Sequence, residues 1–100
     1  MAAARKAAAF LSAVLMCAGM TLAQAAEAPP GAASCSGCHP AHANASTPVP
    51  RLAGQGADAI IDAMQAFRSR QRPATVMDRI AKGFSDEEIK AIAAWFATQR

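Results

Sequence analysis

The sequence predicts an all-α domain, and three observations carry that reading. No stretch alternates apolar and polar residues with period two. Apolar residues in the second half recur at three- and four-residue spacing. The same half carries a helix-start signal, Ser85-Asp86-Glu87-Glu88, and the helix-stopping residues Pro73 and Gly83. A chain of 100 residues has room for one domain, so three to four helices are expected.

The first 25 residues are expected to lie outside that domain. Arg5 and Lys6 form a basic start, residues 7–22 an apolar run, and Ala23-Gln24-Ala25 a small-x-small cleavage pattern. That order marks a secretory signal peptide, cut after Ala25 or Ala26 to leave a domain over residues 26–100. A membrane-spanning helix needs about 20 apolar residues. This run is shorter and alanine-rich, and no stop-transfer charges follow Ala26, so no stable membrane span is expected after processing. Cys17 could be read as a lipid-acylation site, but Met16 stands where a small residue is wanted. The mature protein is therefore expected in the periplasm, where cysteines meet oxidising conditions. The formal charge of +3 includes Arg5 and Lys6; without them eight basic residues face seven acidic ones. With no basic stripe and no interleaved aromatics, nucleic acid is not an expected partner.

Taken in order, Pro29 and Pro30 lead into a short helix over about residues 31–38, since proline is tolerated only in a first turn. Residues 39–55 hold Pro40, Pro48, Pro50 and Gly54 with no periodicity; loops of that length are usually functional. A helix should begin near Ala57, with Asp58 in its first turn and Ile60, Ile61, Met64 and Phe67 on one face. Arg68, Arg70 and Arg72 load its end and Pro73 blocks continuation. An irregular stretch leads to a short helical piece over residues 76–82, closed by Gly83. The last helix starts from the Ser85/Glu88 capping box and places Ile89, Ile92, Ala93 and Phe96 at helical spacing. The aromatic core candidates are Phe67, Phe84, Trp95 and Phe96. For a domain of about 75 residues, a size that usually needs a staple or an unusually good core, this is a thin supply.

Cys35-Ser36-Gly37-Cys38-His39 supplies the missing piece. C-x-x-C-H is the attachment signature of c-type haem. Two thiols one turn apart can each add to a haem vinyl group, and the adjacent His39 then falls under the iron as proximal ligand. Ser36 and Gly37 are small enough for the porphyrin to lie against the backbone, and one covalent haem c would fill the core. Three other readings compete. A Cys35–Cys38 disulfide leaves His39 and the sparse core without a role. A thioredoxin-like pair expects a βαβ setting. A zinc site from Cys35, Cys38, His39 and His42 has four N/S ligands, but all would come from one short stretch and join nothing.

An electron carrier's haem iron wants a second axial ligand, and a methionine raises the potential. Met64 sits on the apolar face of its helix, where a core role suffices. His42 is too near His39 to reach the opposite haem face. Met77, beyond Pro73 on an irregular approach, is the choice as distal iron ligand. A ligating imidazole donates its other N–H to a carbonyl or carboxylate. Two readings of Pro50 stand side by side: its carbonyl is that acceptor, or Pro48 and Pro50 only stiffen the loop.

These residues stand with Pro50-Arg51-Leu52-Ala53-Gly54-Gln55 and with the run from Arg72-Pro73-Ala74-Thr75-Val76-Met77 through Asp78-Arg79-Ile80-Ala81-Lys82-Gly83. In this order they resemble the class I cytochromes c, and among them the cytochrome subunits of flavocytochrome c sulfide dehydrogenases. The resemblance implies a compact helical fold around one covalent haem, with His39 and Met77 as axial ligands. It implies an electron-transfer role rather than catalysis. It also implies an FAD flavoprotein partner that oxidises sulfide; a free shuttle serving a terminal oxidase or other redox proteins shares the same site. Two departures are visible: a single C-x-x-C-H, and Pro40 where the family usually continues through glycine.

Overall fold

The computed structural model describes residues 26–42 and 46–100. The expected signal peptide, Cys17 included, lies outside the described residues. Within them the architecture is all-α: α1 (Ala32–Ser36), α2 (Ala57–Arg68), α3 (Met77–Ala81) and α4 (Asp86–Thr98), with no strand among them. None of these helices is long and apolar enough to cross a membrane.

Local chemistry explains α4. The Ser85 hydroxyl accepts from the Glu88 N–H at 3.1 Å, and the Ser85 N–H donates to the Glu88 carboxylate at 2.7 Å. This reciprocal pair satisfies two of the donors that a helix start leaves orphaned. Asp86, Glu87 and Glu88 occupy the first turn, where the helix dipole favours negative charge. From there Ile89, Ile92, Ala93 and Phe96 form one buried stripe. Helix α2 packs on α4 and on α3, but of its apolar face only Ile60 is buried; Ile61, Met64 and Phe67 are half-exposed.

Arg68, in the last turn of α2, ties the three longer-range pieces together. Its guanidinium donates to the Ala81 carbonyl at 3.4 Å, the Phe84 carbonyl at 2.7 Å and the Asp86 carboxylate at 2.6 Å. One side chain thus satisfies a carbonyl at the C-terminal end of α3 and reaches the first residue of α4. The hydrogen bond and charge of Arg68 hold the Asp86 carboxyl below the usual carboxylate range. Nothing local in the sequence foretells this link, which joins residues far apart in the chain.

Helix α1 enters the core by a glycine. Gly31 has φ of +91°, a left-handed conformation that residues with a Cβ rarely adopt. A Cβ there would also lie 2.7 Å from the Phe84 ring and 3.2 Å from Ile92. That close approach puts Ala32 fully inside, against Ile60, Ile92, Ala93 and Phe96. Of the four aromatic core candidates only Phe96 is buried; Phe67, Phe84 and Trp95 are half-exposed. Trp95 packs edge-on against Phe96 and donates its indole N–H to the Ala26 carbonyl at 3.0 Å. No large side chain among the described residues is fully buried. The helices enclose a space instead of filling one.

Candidate functional site

That space is a cleft of about 720 Å³, walled by α1, the following turn, the loop after it, the inner face of α2, and α3 and α4. Its size falls within the range typical of small-molecule and cofactor sites, roughly 300–1,000 Å³. Cys35, Cys38 and His39 line it together. Helix α1 ends at Ser36, and both the Cys38 and His39 amides donate back to the Cys35 carbonyl, at 3.2 and 2.9 Å. This tight turn folds the three side chains of the motif onto one wall. Both thiols are free.

His39 is oriented from behind. Its Nδ1 lies 2.5 Å from the Pro50 carbonyl oxygen. A carbonyl can only accept, so Nδ1 is the donor in this contact, which leaves Nε2 as the other ring nitrogen, outside this contact. Three of the bonds that hold the loop bearing Pro50 reach across it or to α4. The Arg51 guanidinium donates to the Ala41 carbonyl at 3.1 Å, and the Gln55 side-chain amide to the Arg51 carbonyl. Gly54, at φ +81°, donates its N–H to the Phe96 carbonyl at 3.0 Å. The sequence offered the Pro50 carbonyl as one of two readings, without this scaffold; the one local signal was a glycine inside a motif otherwise rich in side chains.

Two other elements bring methionines to the same cleft. Met77 opens α3 and lines the cleft, and so does Met64 on α2. His42 is exposed and does not line it. The rest of the wall is largely apolar and poorly covered: Val76 is 53% and Ile80 39% exposed. Large apolar side chains left open around a cavity mark a surface that something apolar covers.

The donor set separates the alternative chemistries. Among the described residues no three His, Cys, Asp or Glu side chains converge, so Cys35, Cys38, His39 and His42 do not form a closed zinc tetrahedron. Burial pushes the Cys35 thiol above its ordinary pKa, with the backbone offsetting only part. Reactive redox cysteines have the opposite shift. A flat apolar group that takes two thiols on one edge and an imidazole from one face fits all these features. Haem meets that description.

Comparison with known proteins adds the following. The chain is 41% identical over 63 residues to the cytochrome subunit of sulfide dehydrogenase from Chlorobaculum tepidum, a match covering 63% of this chain and 57% of that protein. It is 36% identical over 70 residues to cytochrome c-554(548) of Halomonas halodenitrificans, covering 66% of this chain and 84% of the relative. It is also 36% identical over 70 residues to cytochrome c4 of Pseudomonas aeruginosa, covering 69% of this chain but 35% of that longer protein. The chain thus spans little more than half of the first relative and about a third of the last. No protein-family model matches it.

Proposed function

Because this chain belongs to the class I cytochromes c and is an electron-transfer protein with covalent haem c, we propose that it is a periplasmic carrier accepting electrons from a sulfide-oxidising flavoprotein subunit. Cys35 and Cys38 would hold the haem, and the His39 imidazole and Met77 thioether are the side chains that would bind its iron. The carrying observation is the cleft itself, where both thiols, an oriented imidazole and Met77 line one apolar space.

Each residue's part follows from its chemistry. The Cys35 and Cys38 thiols are the groups that would hold haem, each through a thioether to one vinyl substituent, an S–H addition that needs no oxidant. Covalent attachment suits a small domain that offers little enclosure. The Pro50 carbonyl holds the His39 ring in one tautomer and one orientation. A thioether from Met77 favours the reduced metal and raises the potential. When bound, haem supplies a single reversible ferric–ferrous electron step. Val76 and Ile80 stand at the wall of the cleft, and their apolar side chains limit water there.

The sulfide-oxidising partner is supported by the identity to the Chlorobaculum subunit. Mixing the purified holoprotein with its native flavoprotein fraction and sulfide tests it: rapid reduction of the haem, followed in the visible spectrum, is expected. Reduction by an unrelated donor with none from the sulfide-driven fraction would favour the free shuttle instead.

A further inference from the structure

The geometry points to Arg72 as the residue that binds the haem carboxylates, an inference that rests on haem occupying the cleft. Haem carries two propionates, and a carboxylate at the edge of an apolar cleft is costly unless a cation or several donors meet it. Among the described residues no Asp or Glu lines the cleft, and Arg72 is the one Lys or Arg that does. Its guanidinium carbon lies 4.8 Å from the centroid of the Phe67 ring, itself part of the same wall. Stacking on an aromatic face localises a guanidinium while leaving its N–H donors free along their edge.

The backbone fixes the residue as well. The Arg72 N–H donates to the Ala66 carbonyl at 3.1 Å, after Arg70 turns the chain with φ of +60°. Arg72 is thereby folded back over the end of α2 toward Phe67. Among the described residues the ion pair present is Arg68–Asp86, and no hydrogen bond engages the Arg72 side chain. A held cation with unused, coplanar donors suits a carboxylate, which it can meet with two parallel hydrogen bonds. Of the other donors, Gln55 in the wall is committed to the Arg51 carbonyl and Arg51, outside it, to the Ala41 carbonyl, while Ser34 and Thr75 offer only neutral hydroxyls. Beyond binding, a positive charge at this place favours the reduced haem, so Arg72 also holds the reduction potential up.

Three variants of the holoprotein test this: Arg72→Gln, Arg72→Lys and, as a control of equal charge change, Arg70→Gln, which is exposed and does not line the cleft. Haem stain on a denaturing gel and the reduction potential across pH are read for each. Among the described residues the titratable or charged groups lining the cleft besides Arg72 are Cys35, Cys38 and His39; attachment and ligation take these up, so the difference in pH profile between Arg72→Gln and wild type reports the propionates. Arg72→Gln should keep full haem stain, show a lower potential than wild type, and move the pH-dependent part of the potential to higher pH. Arg72→Lys should fall between, and Arg70→Gln should match wild type. Equal potentials and pH profiles for Arg72→Gln and Arg70→Gln would overturn the assignment. Absence of haem stain in the wild-type protein would overturn the haem reading beneath it.

Discussion

The two halves of the domain are held together differently. The α2–α3–α4 half is stabilised by its own sequence: a capping box, a buried apolar stripe and the Arg68 link. The half made of α1 and the loop to Gly56 has, among its described residues, one that is buried, Ala32. It is held by the Gly31 approach to Phe84, by side-chain donors to loop carbonyls, and by His39 to Pro50. The α1–loop half carries both thiols and the imidazole. In the proposed reading the half that buries least of itself is the one that would hold the haem, and haem would supply the core it lacks.

Removing the cofactor's attachment should expose that difference most strongly. The Cys35→Ala/Cys38→Ala double variant should lose haem stain on a denaturing gel. Its α1 and loop amides should exchange with solvent far faster than those of α4, because backbone entropy there is no longer offset. Uniform protection across both halves would break the comparison. Gly31→Ala should come next. It combines a left-handed φ with a 2.7 Å clash on Phe84, and should destabilise the holoprotein by about 2–4 kcal/mol in denaturant titration. A neutral result would mean that α1 is not seated on Phe84.

The other half gives smaller, more local effects. Arg68→Ala leaves the Ala81 and Phe84 carbonyls without their partner and should cost about 1–3 kcal/mol, with haem stain unchanged. Asp86→Asn should have the least effect, and one that depends on pH. Because Arg68 lowers the folded-state pKa of Asp86, its contribution is present above the ordinary carboxylate pKa, about 3.9. It fades as pH falls through the lowered value. The stability gap between wild type and Asp86→Asn should therefore be constant near neutrality and close in acid. A gap that widens on acidification would contradict the Arg68–Asp86 linkage.

How much of this was legible in the sequence follows the same division. The start of helix α4 could be read to the residue, because the Ser85/Glu88 box is a local rule, and the Ile89–Phe96 spacing gave its buried face; its end at Thr98, short of the terminus, was not legible. Helix α2 could be read as well, but the exposure of Met64 and Phe67 could not: a helical apolar face looks the same whether protein or cofactor covers it. The haem motif is legible because its spacing is itself the chemistry. The Arg51, Gly54 and Gln55 bonds that carry the Pro50 carbonyl were not legible, since each donor finds its partner through tertiary folding. Arg68 was readable only as a cation near a helix end; its three acceptors lie beyond the next proline.

The central claim, that the cleft holds haem iron between His39 and a sulfur from α3, is tested most directly by comparing Met77→Ala with Met64→Ala. Both methionines line the cleft, so the pair isolates ligation from packing. The ferric spectrum, cyanide binding and reduction potential of each holoprotein should be measured together. Met77→Ala should lose the thioether–iron absorption, bind cyanide readily and show a lower potential. Met64→Ala should keep the axial spectrum and lose stability alone, by less than the roughly 2–5 kcal/mol of a fully buried methionine, since Met64 is half-exposed. The reverse pattern, with the axial spectrum lost in Met64→Ala and kept in Met77→Ala, would contradict the account.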